Sequence, residues 1–415
     1  MGTENDVQHH ADDLLVDDPC GHPVASPRET GTDATRAAEL VARATRTVVE
    51  GRLPTCQLAV ARNGRLVVCR TIGAAPTSRY LTYSCTKAII AGAYWRLLAD
   101  GAVARSTRVA EVVPEFAANG KETVTVEHLL THTAGFPHAR FPFREWADPT
   151  LRRAQFAGWL LEWSPGTRCE YHGTSAHWVL ADVLEAVTGS DFREHVRRAV
   201  LDPLGLPSLQ LGTPEPDQGD VLDVHMVGDP PAADTEVSAE ADLLAHNDPA
   251  LRAVGQPGGG AIGRAADLAM YYQAVLANPG GFWDTDVLRA GTTEILCALV
   301  DPMLGVAANR TLGLVGAGDD GHGALRGFGA STSPQAFGHM GAGGQIAWAD
   351  PATGISFAFV TNGLERDPWR AGARGHGLST RAGALRAGCS ATSRPCRRCG
   401  RRARTCRGGR RRRGS

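Results

Sequence analysis

The sequence predicts an α+β fold in which strands from the two ends of the chain form one antiparallel sheet around a helical middle. Near the N-terminus, apolar segments at 56–62 and 65–72 flank Asn63-Gly64, the dipeptide most typical of a tight β-hairpin. Near the C-terminus, segments at 345–349 and 355–361 are joined by a short turn-forming sequence. Because connections this short join antiparallel strands, both ends of the chain are expected to contribute to an antiparallel sheet.

Helical periodicity is clearest in two places before the middle of the chain. At 33–50, apolar residues recur every three or four positions, and Gly51 ends the pattern. A second helix is predicted from Ser84 to about Ala99, and its few charges indicate that it is buried on all sides. Four further helices are predicted at 150–162, 175–188, 191–200 and 265–277, and one more strand is predicted at 337–340.

The segment between Arg198 and Arg252 contains no Lys or Arg and many acidic residues. Several prolines interrupt it, so it is interpreted as a long acidic loop. Two roles stay open for this loop. It is either a solvated connection or a wall of the active-site cleft that repels anionic substrates.

Composition bounds the class of protein. With 415 residues, 43% of them hydrophobic, the chain can form one large domain or two smaller ones. The net charge of −1 hides an asymmetry, because residues 389–415 carry 11 arginines and no acidic residue. The rest of the chain has 32 of the 43 Lys and Arg residues and all 44 Asp and Glu residues, so it is acidic. An acidic net charge argues against a general nucleic-acid-binding protein.

The two termini are expected to be disordered. Residues 1–32 are acidic and lack the features of a secretory signal, and no segment is apolar for long enough to span a membrane, so a cytoplasmic location is expected. The tail at 389–415 is rich in Arg and Cys. Its cysteines could bind zinc and its arginines an anionic partner. The absence of any apolar pattern favours a disordered extension instead. The domain between them is placed at 33–388, and its scattered cysteines are expected to be reduced thiols.

Lysine is rare in this chain, which has 41 arginines and only two lysines. Lys87 follows Ser84 by three residues, the S-x-x-K spacing in which Ser is a nucleophile and Lys helps to activate it. On a helix the two side chains share one face, and burial and the helix dipole both favour the neutral amine. The alternative is a structural lysine that reaches to solvent from a core helix.

Other candidates are ambiguous when taken singly. Tyr171 lies between two predicted helices, where its phenol could relay a proton or only bond a backbone carbonyl. His132 and His339 are equally compatible with structural roles. No metal site or cofactor is expected.

Together these segments resemble the serine β-lactamase and penicillin-binding-protein superfamily, specifically its class C-like branch, which includes family VIII carboxylesterases. The resemblance covers nearly all of 33–388, and the order and spacing of its motifs are specific. The motifs are Ser84-Cys85-Thr86-Lys87, Leu129-Leu130-Thr131-His132-Thr133-Ala134-Gly135, Pro165-Gly166 before Tyr171, Asp202-Pro203-Leu204-Gly205, Gly258-Gly259-Gly260 with Asp267-Leu268, Gly338-His339-Met340-Gly341-Ala342-Gly343-Gly344 and Asp350-Pro351.

The resemblance implies a β-lactamase-like fold in which a mostly helical domain at about 101–290 is inserted in the α/β part, with the active-site cleft between the two. It also implies that Ser84 attacks an acyl carbonyl while Lys87 and Tyr171 share the proton. The backbone N–H groups of Ser84 and Ala342 would form the oxyanion hole. Water would then release an acyl-enzyme.

Two departures from the β-lactamase pattern bear on the substrate. Gly173 stands where those enzymes have the Asn of Tyr-x-Asn, and His339 replaces the Lys of Lys-Thr-Gly, so a fixed charge for a substrate carboxylate becomes an imidazole. His339, Gly341 and Gly173 are therefore expected to contact a neutral small-molecule ester. The alternatives are a β-lactamase or D-alanyl-D-alanine carboxypeptidase and, in another class, a catalytically idle scaffold.

Overall fold

The computed structural model describes residues 15–140, 145–230 and 238–386. Its strands are β1 (Cys56–Arg62), β2 (Arg65–Ile72), β3 (Tyr80–Leu81), β4 (Gln210–Leu211), β5 (His225–Val227), β6 (Ala261–Gly263), β7 (Val300–Asp301), β8 (Val306–Ala307), β9 (Val315–Gly316), β10 (Phe337–Gly341), β11 (Gln345–Asp350), β12 (Ile355–Thr361) and β13 (Gly363–Glu365). Its α-helices are α1 (Pro27–Thr30), α2 (Ala34–Val49), α3 (Thr86–Ala99), α4 (Val109–Val112), α5 (Val126–Leu130), α6 (Pro149–Gly158), α7 (Ser175–Thr188), α8 (Phe192–Val196), α9 (Ser238–Leu244), α10 (Pro249–Val254), α11 (Ala265–Ala277), α12 (Thr285–Thr292) and α13 (Pro368–Gly383).

The main sheet has six antiparallel strands in the order β2-β1-β12-β11-β10-β9. The N-terminal hairpin joins the C-terminal strands where β1 pairs with β12, from Cys56 opposite Thr361 to Arg62 opposite Ile355. This arrangement confirms the predicted fold class, with strands from both chain ends in one sheet.

Alternate side chains of the central strands enter two different cores. Leu58 and Phe357 face a cluster shared with α2 and α13, whereas Ala59 and Ala358 face a cluster shared with α3 and α11. This alternation follows from the two-residue period of a β-strand and leaves both faces of the sheet covered by helices.

The described part of the N-terminal segment is ordered, so the prediction of disorder is wrong for 15–32. Val16 pairs with Cys69 and Val24 with Leu66, and Leu15 is buried. Isolated bridges of this kind have no periodicity for sequence reasoning to detect. Residues 1–14 and the tail at 389–415 lie outside the described residues, so those two predictions stay predictions.

The middle of the chain is mostly helical but contains short strands. In it, β6 joins β3 and β4 in a small sheet beside the start of α3. The acidic segment is not one continuous loop, because it contains β4, β5, α9 and α10. Within the described ranges, every helix is too short or too polar to cross a lipid bilayer.

Candidate active site

Ser84 lies in a strained turn. Tyr83 to Cys85 form a 3₁₀ turn immediately before α3, so the α-helix begins at Thr86 and not, as predicted, at Ser84. Tyr83 has a φ of 45°, in the left-handed region that a bulky side chain rarely adopts. Thr86 Oγ1 accepts from the Ala261 N–H at 3.0 Å, which anchors the turn to β6.

Lys87 lies in the first turn of α3 with its side chain fully buried. Its Nζ is 2.8 Å from the Gly173 carbonyl oxygen, 2.6 Å from that of Gly258 and 3.2 Å from Ser84 Oγ. Burial, followed by the positive charge of Arg310, holds the pKa of Lys87 well below its usual 10.5. A neutral amine can donate its two N–H bonds to the two carbonyls, which leaves its lone pair for the Ser84 hydroxyl.

Tyr171 contacts the same hydroxyl from the other side. Its phenol donates to Ser84 Oγ at 2.7 Å, and its ring centroid is 5.0 Å from Lys87 Nζ. Burial is the largest cause that raises the pKa of Tyr171 to about 12. The phenol is therefore protonated at neutral pH and serves as a hydrogen-bond donor.

Glycines give the lysine its space. A Cβ added at Gly258 would lie 3.2 Å from Lys87 Nζ and 3.0 Å from the Gly173 carbonyl oxygen. Any side chain at Gly258 would thus crowd the lysine's hydrogen bonds. This contact gives a physical reason for a glycine in the Gly258-Gly259-Gly260 motif.

The predicted oxyanion donors occupy adjoining segments. Ala342 begins a short turn at the end of β10 and packs against a cluster that includes Leu81 and Tyr83. A Cβ at Gly341 would lie 2.8 Å from the Thr82 carbonyl oxygen, so β10 can approach the Ser84 turn this closely only with glycine there.

His339 is on β10, its ring centroid 6.0 Å from that of Tyr171. Nδ1 is 2.5 Å from the Met340 carbonyl oxygen, and Nε2 is buried without a hydrogen-bond partner among the described residues. Burial, with Arg310 and Lys87 next, holds the pKa of His339 well below 6.5. The imidazole is therefore neutral at physiological pH and supplies no positive charge to a substrate.

His132 has a structural place beside Tyr171. Its Nδ1 accepts from the His172 N–H at 3.1 Å, and its carbonyl accepts from the Glu170 N–H at 3.2 Å. The ring centroids of His132 and Tyr171 are 4.8 Å apart. His132 thus fixes the residues on both sides of Tyr171.

Arg310 is a buried residue of the site that the sequence does not single out. Its guanidinium carbon is 5.3 Å from the centroid of the Tyr171 ring, and it pairs with the buried Asp301 at 3.6 Å. Its charge lowers the pKa of Lys87, His132 and His339. Because the chain has 41 arginines, the residue type alone does not mark Arg310 as functional. The only clue in the sequence is its position in the apolar segment at 304–317.

Among the described residues, no three His, Cys, Asp or Glu side chains converge as ligands of a metal ion would. The constellation around Ser84 has the parts for nucleophilic acyl transfer: a hydroxyl, a neutral amine and a phenol within hydrogen-bonding distance.

Comparisons with known proteins identify the family of this chain. The Beta-lactamase family model matches residues 37–380. The esterase/beta-lactamase LipL of Mycobacterium tuberculosis is 29% identical over 307 residues, which are 68% of this chain and 69% of LipL. Esterase EstB of Burkholderia gladioli is 29% identical over 60% of this chain and 72% of its own length. A putative D-alanyl-D-alanine carboxypeptidase of Escherichia coli is 24% identical over 64% of each chain.

Solved structures extend the likeness to the whole fold. A family VIII carboxylesterase superposes with a TM-score of 0.70 at 25% identity and covers 85% of this chain and 99% of its own. A penicillin-binding-protein homologue from Caulobacter crescentus gives a TM-score of 0.71 at 26% identity, with coverage of 86% and 99%.

Proposed function

Because this chain belongs to the β-lactamase family, we propose that it is a serine hydrolase that cleaves carboxylic esters through an acyl-enzyme on Ser84. The observation that carries the proposal is the position of Ser84 Oγ, 3.2 Å from Lys87 Nζ and 2.7 Å from the Tyr171 phenol. The buried amine is the base and the phenol is the acid, because the pKa shifts of Lys87 and Tyr171 favour the neutral form of each.

In the first half of the reaction, Lys87 accepts the Ser84 proton as Oγ attacks the ester carbonyl. The carbonyl oxygen becomes an oxyanion, for which the N–H groups of Ser84 and Ala342 are the proposed donors. Tyr171 gives its proton to the departing alcohol oxygen and is reprotonated from Lys87. In the second half, water gives a proton to the same pair, attacks the acyl carbon and restores the Ser84 hydroxyl.

The preference for a neutral ester rests on the charges around the cleft. His339 is neutral where a β-lactamase has a lysine, and Gly173 offers no side-chain amide. The acidic segment also reaches the site, since the Tyr83 phenol donates to the Leu243 carbonyl of α9 at 3.1 Å. This contact favours the interpretation of that segment as a wall of the site.

A parallel assay separates the substrate classes. Purified protein is given p-nitrophenyl esters of graded chain length and a chromogenic cephalosporin, each with Ser84→Ala as the control. We expect ester turnover that Ser84→Ala abolishes and little or no cephalosporin turnover. Turnover of cephalosporin without ester would favour the β-lactamase alternative, to which the name of LipL also points.

Covalent labelling separates an enzyme from an idle scaffold. A fluorophosphonate probe should label the folded protein, and Ser84→Ala should remove the label. Ser106→Ala, a change at an exposed serine, is the matched control that should keep it. A folded protein that takes no label would rule out a reactive Ser84.

A further inference from the structure

Two cysteines that are far apart in sequence meet beside Tyr171. Cys169 and Cys297 are buried in one cluster with Ala308. The two thiols lie close enough to interact, and both are free cysteines. The sequence suggested single, unrelated thiols, whereas the fold makes these two a pair.

The pair is chemically asymmetric. The interaction with Cys169 is the largest cause that lowers the pKa of Cys297 to about 7, and the same interaction raises the pKa of Cys169. Burial raises the pKa of Cys56 and Cys85, which keeps those thiols protonated. Cys297 is thus the more nucleophilic sulfur, in contact with a second thiol that can resolve an oxidised form.

We propose that Cys169 and Cys297 are a modification site at which a hydroperoxide forms a reversible disulfide. The Cys297 thiolate attacks one peroxide oxygen, the O–O bond breaks, and Cys297 becomes a sulfenic acid with release of hydroxide. The Cys169 sulfur then attacks the Cys297 sulfur and displaces the hydroxyl group, which leaves as water with the Cys169 proton. Two thiols and one hydrogen peroxide thereby give one disulfide and two waters.

The position of the pair ties its oxidation to the site around Ser84. Cys169 is two residues before Tyr171, and Cys297 is held to Arg310 by backbone hydrogen bonds of 3.1 and 2.9 Å. Arg310 lies against the Tyr171 ring. A disulfide bond is only about 2.05 Å long, so closing it draws these two segments together. The Tyr171 phenol is then displaced from Ser84, and turnover should fall.

Peptide mapping of the full chain tests the site itself. The protein is treated with stoichiometric hydrogen peroxide, alkylated and digested with trypsin without reduction. We expect a linked pair of peptides, 169–193 and 290–310, that dithiothreitol separates and that neither Cys169→Ser nor Cys297→Ser can form. Cys69→Ser is the matched control that should still form it, because Cys69 has another thiol, Cys20, as its neighbour.

Ester turnover by the same samples tests the link to Tyr171. Oxidation should lower kcat at least several-fold in the wild type, dithiothreitol should restore it, and Cys297→Ser should be unaffected by the same treatment. Absence of the linked peptide overturns the modification site, and a linked protein with unchanged turnover overturns the link to Tyr171. The mapping needs no enzymatic activity, so its result is independent of the proposed function.

Discussion

Lys87 shows how a single side chain can be made a base by what surrounds it. Two backbone carbonyls take its N–H bonds, and no carboxylate from the described part of the chain contacts it to stabilise the ammonium form. Arg310 adds a positive charge that stays fixed, because a guanidinium does not lose its proton in proteins. The proposed base therefore depends on a residue that is separated from the substrate by Tyr171.

Removing that charge should change the pH dependence of the reaction. Arg310→Met, combined with Asp301→Asn so that no buried carboxylate is left unpaired, should raise the pKa of Lys87. The acid limb of the kcat/KM profile would then move to higher pH, because the amine must be neutral to act as the base. Cys85, His177 and His339 also face Lys87 and are unchanged in this variant.

Arg310→Lys is the control for this profile, because it keeps a positive charge at the same place. An acid limb that does not move in the double variant would contradict the electrostatic role of Arg310. A uniform drop in activity at every pH would instead indicate a purely structural one.

The close packing around Gly258 leads to a second prediction about a single residue. Gly258→Ala should push Lys87 away from Ser84 and lower kcat by about 10²-fold, the order expected for a misplacement of about 1 Å. Gly219→Ala is the matched control, since a Cβ there meets no atom within 4 Å. Equal kcat values for the two variants, measured with a p-nitrophenyl ester, would show that the lysine tolerates the methyl group.

Sequence reasoning reached Ser84, Lys87 and Tyr171 because motif spacing carries information about each of them. It missed Arg310 because the role of that residue arises from burial beside Tyr171, and burial of one arginine has no local pattern. The neutral state of His339 could not be predicted from the sequence either, because it results from burial and from the charge of Arg310.

At the scale of elements, strong periodicity and turn chemistry predicted the long helices and the hairpin well. The helices at 175–188 and 265–277 have the same bounds in the structure. The strands β3, β4 and β6 have only two or three residues each, too few for a period to be recognised. They form through pairing with one another, which depends on the fold as a whole.

The N-terminal segment shows the same dependence on tertiary contacts. His22 Nε2 is 2.5 Å from a carboxylate oxygen of Asp267, which is fully buried and also accepts from the Ser208 N–H at 2.6 Å. Asp267 therefore joins the N-terminal segment to the start of α11. This contact explains an aspartate in the Asp267-Leu268 motif.

Loss of the histidine should destabilise the fold. His22→Ala leaves a buried carboxylate with one partner fewer and should lower the free energy of unfolding by about 1.5–3 kcal/mol, as measured by urea denaturation. His22→Gln, which keeps a hydrogen-bond donor, should lose less. An unchanged unfolding midpoint in His22→Ala would mean that the segment is not held by this contact.

At the scale of the whole molecule, several histidines are buried in their neutral form. Burial is the main cause that lowers the pKa of each one, to about 4 for His172 and His246. The five are His132, His172, His177, His246 and His339. The interior of the protein therefore holds these imidazoles in their neutral form.

Acid should therefore unfold the protein progressively. An unfolded histidine binds a proton near pH 6.5, whereas these five stay neutral in the folded state, so stability is lost as the pH falls from 6.5 towards 4. Each contributes a slope of up to about 1.4 kcal/mol per pH unit in urea denaturation. His246→Gln should reduce the dependence of the free energy of unfolding on pH by the contribution of one histidine. A free energy of unfolding that does not change between pH 7 and 5 would contradict this account.

The rarity of lysine makes the proposed base directly observable by isotope labelling. Both lysines of the chain are buried, Lys121 with its Nζ 2.5 Å from the carbonyl oxygens of Ala118 and Trp159. A sample grown with ¹³C-lysine would therefore contain only two side-chain ε-carbon resonances in a 415-residue protein. Lys87→Met would assign them, and the chemical shift of one could be followed through a pH titration to read the protonation of a single amine.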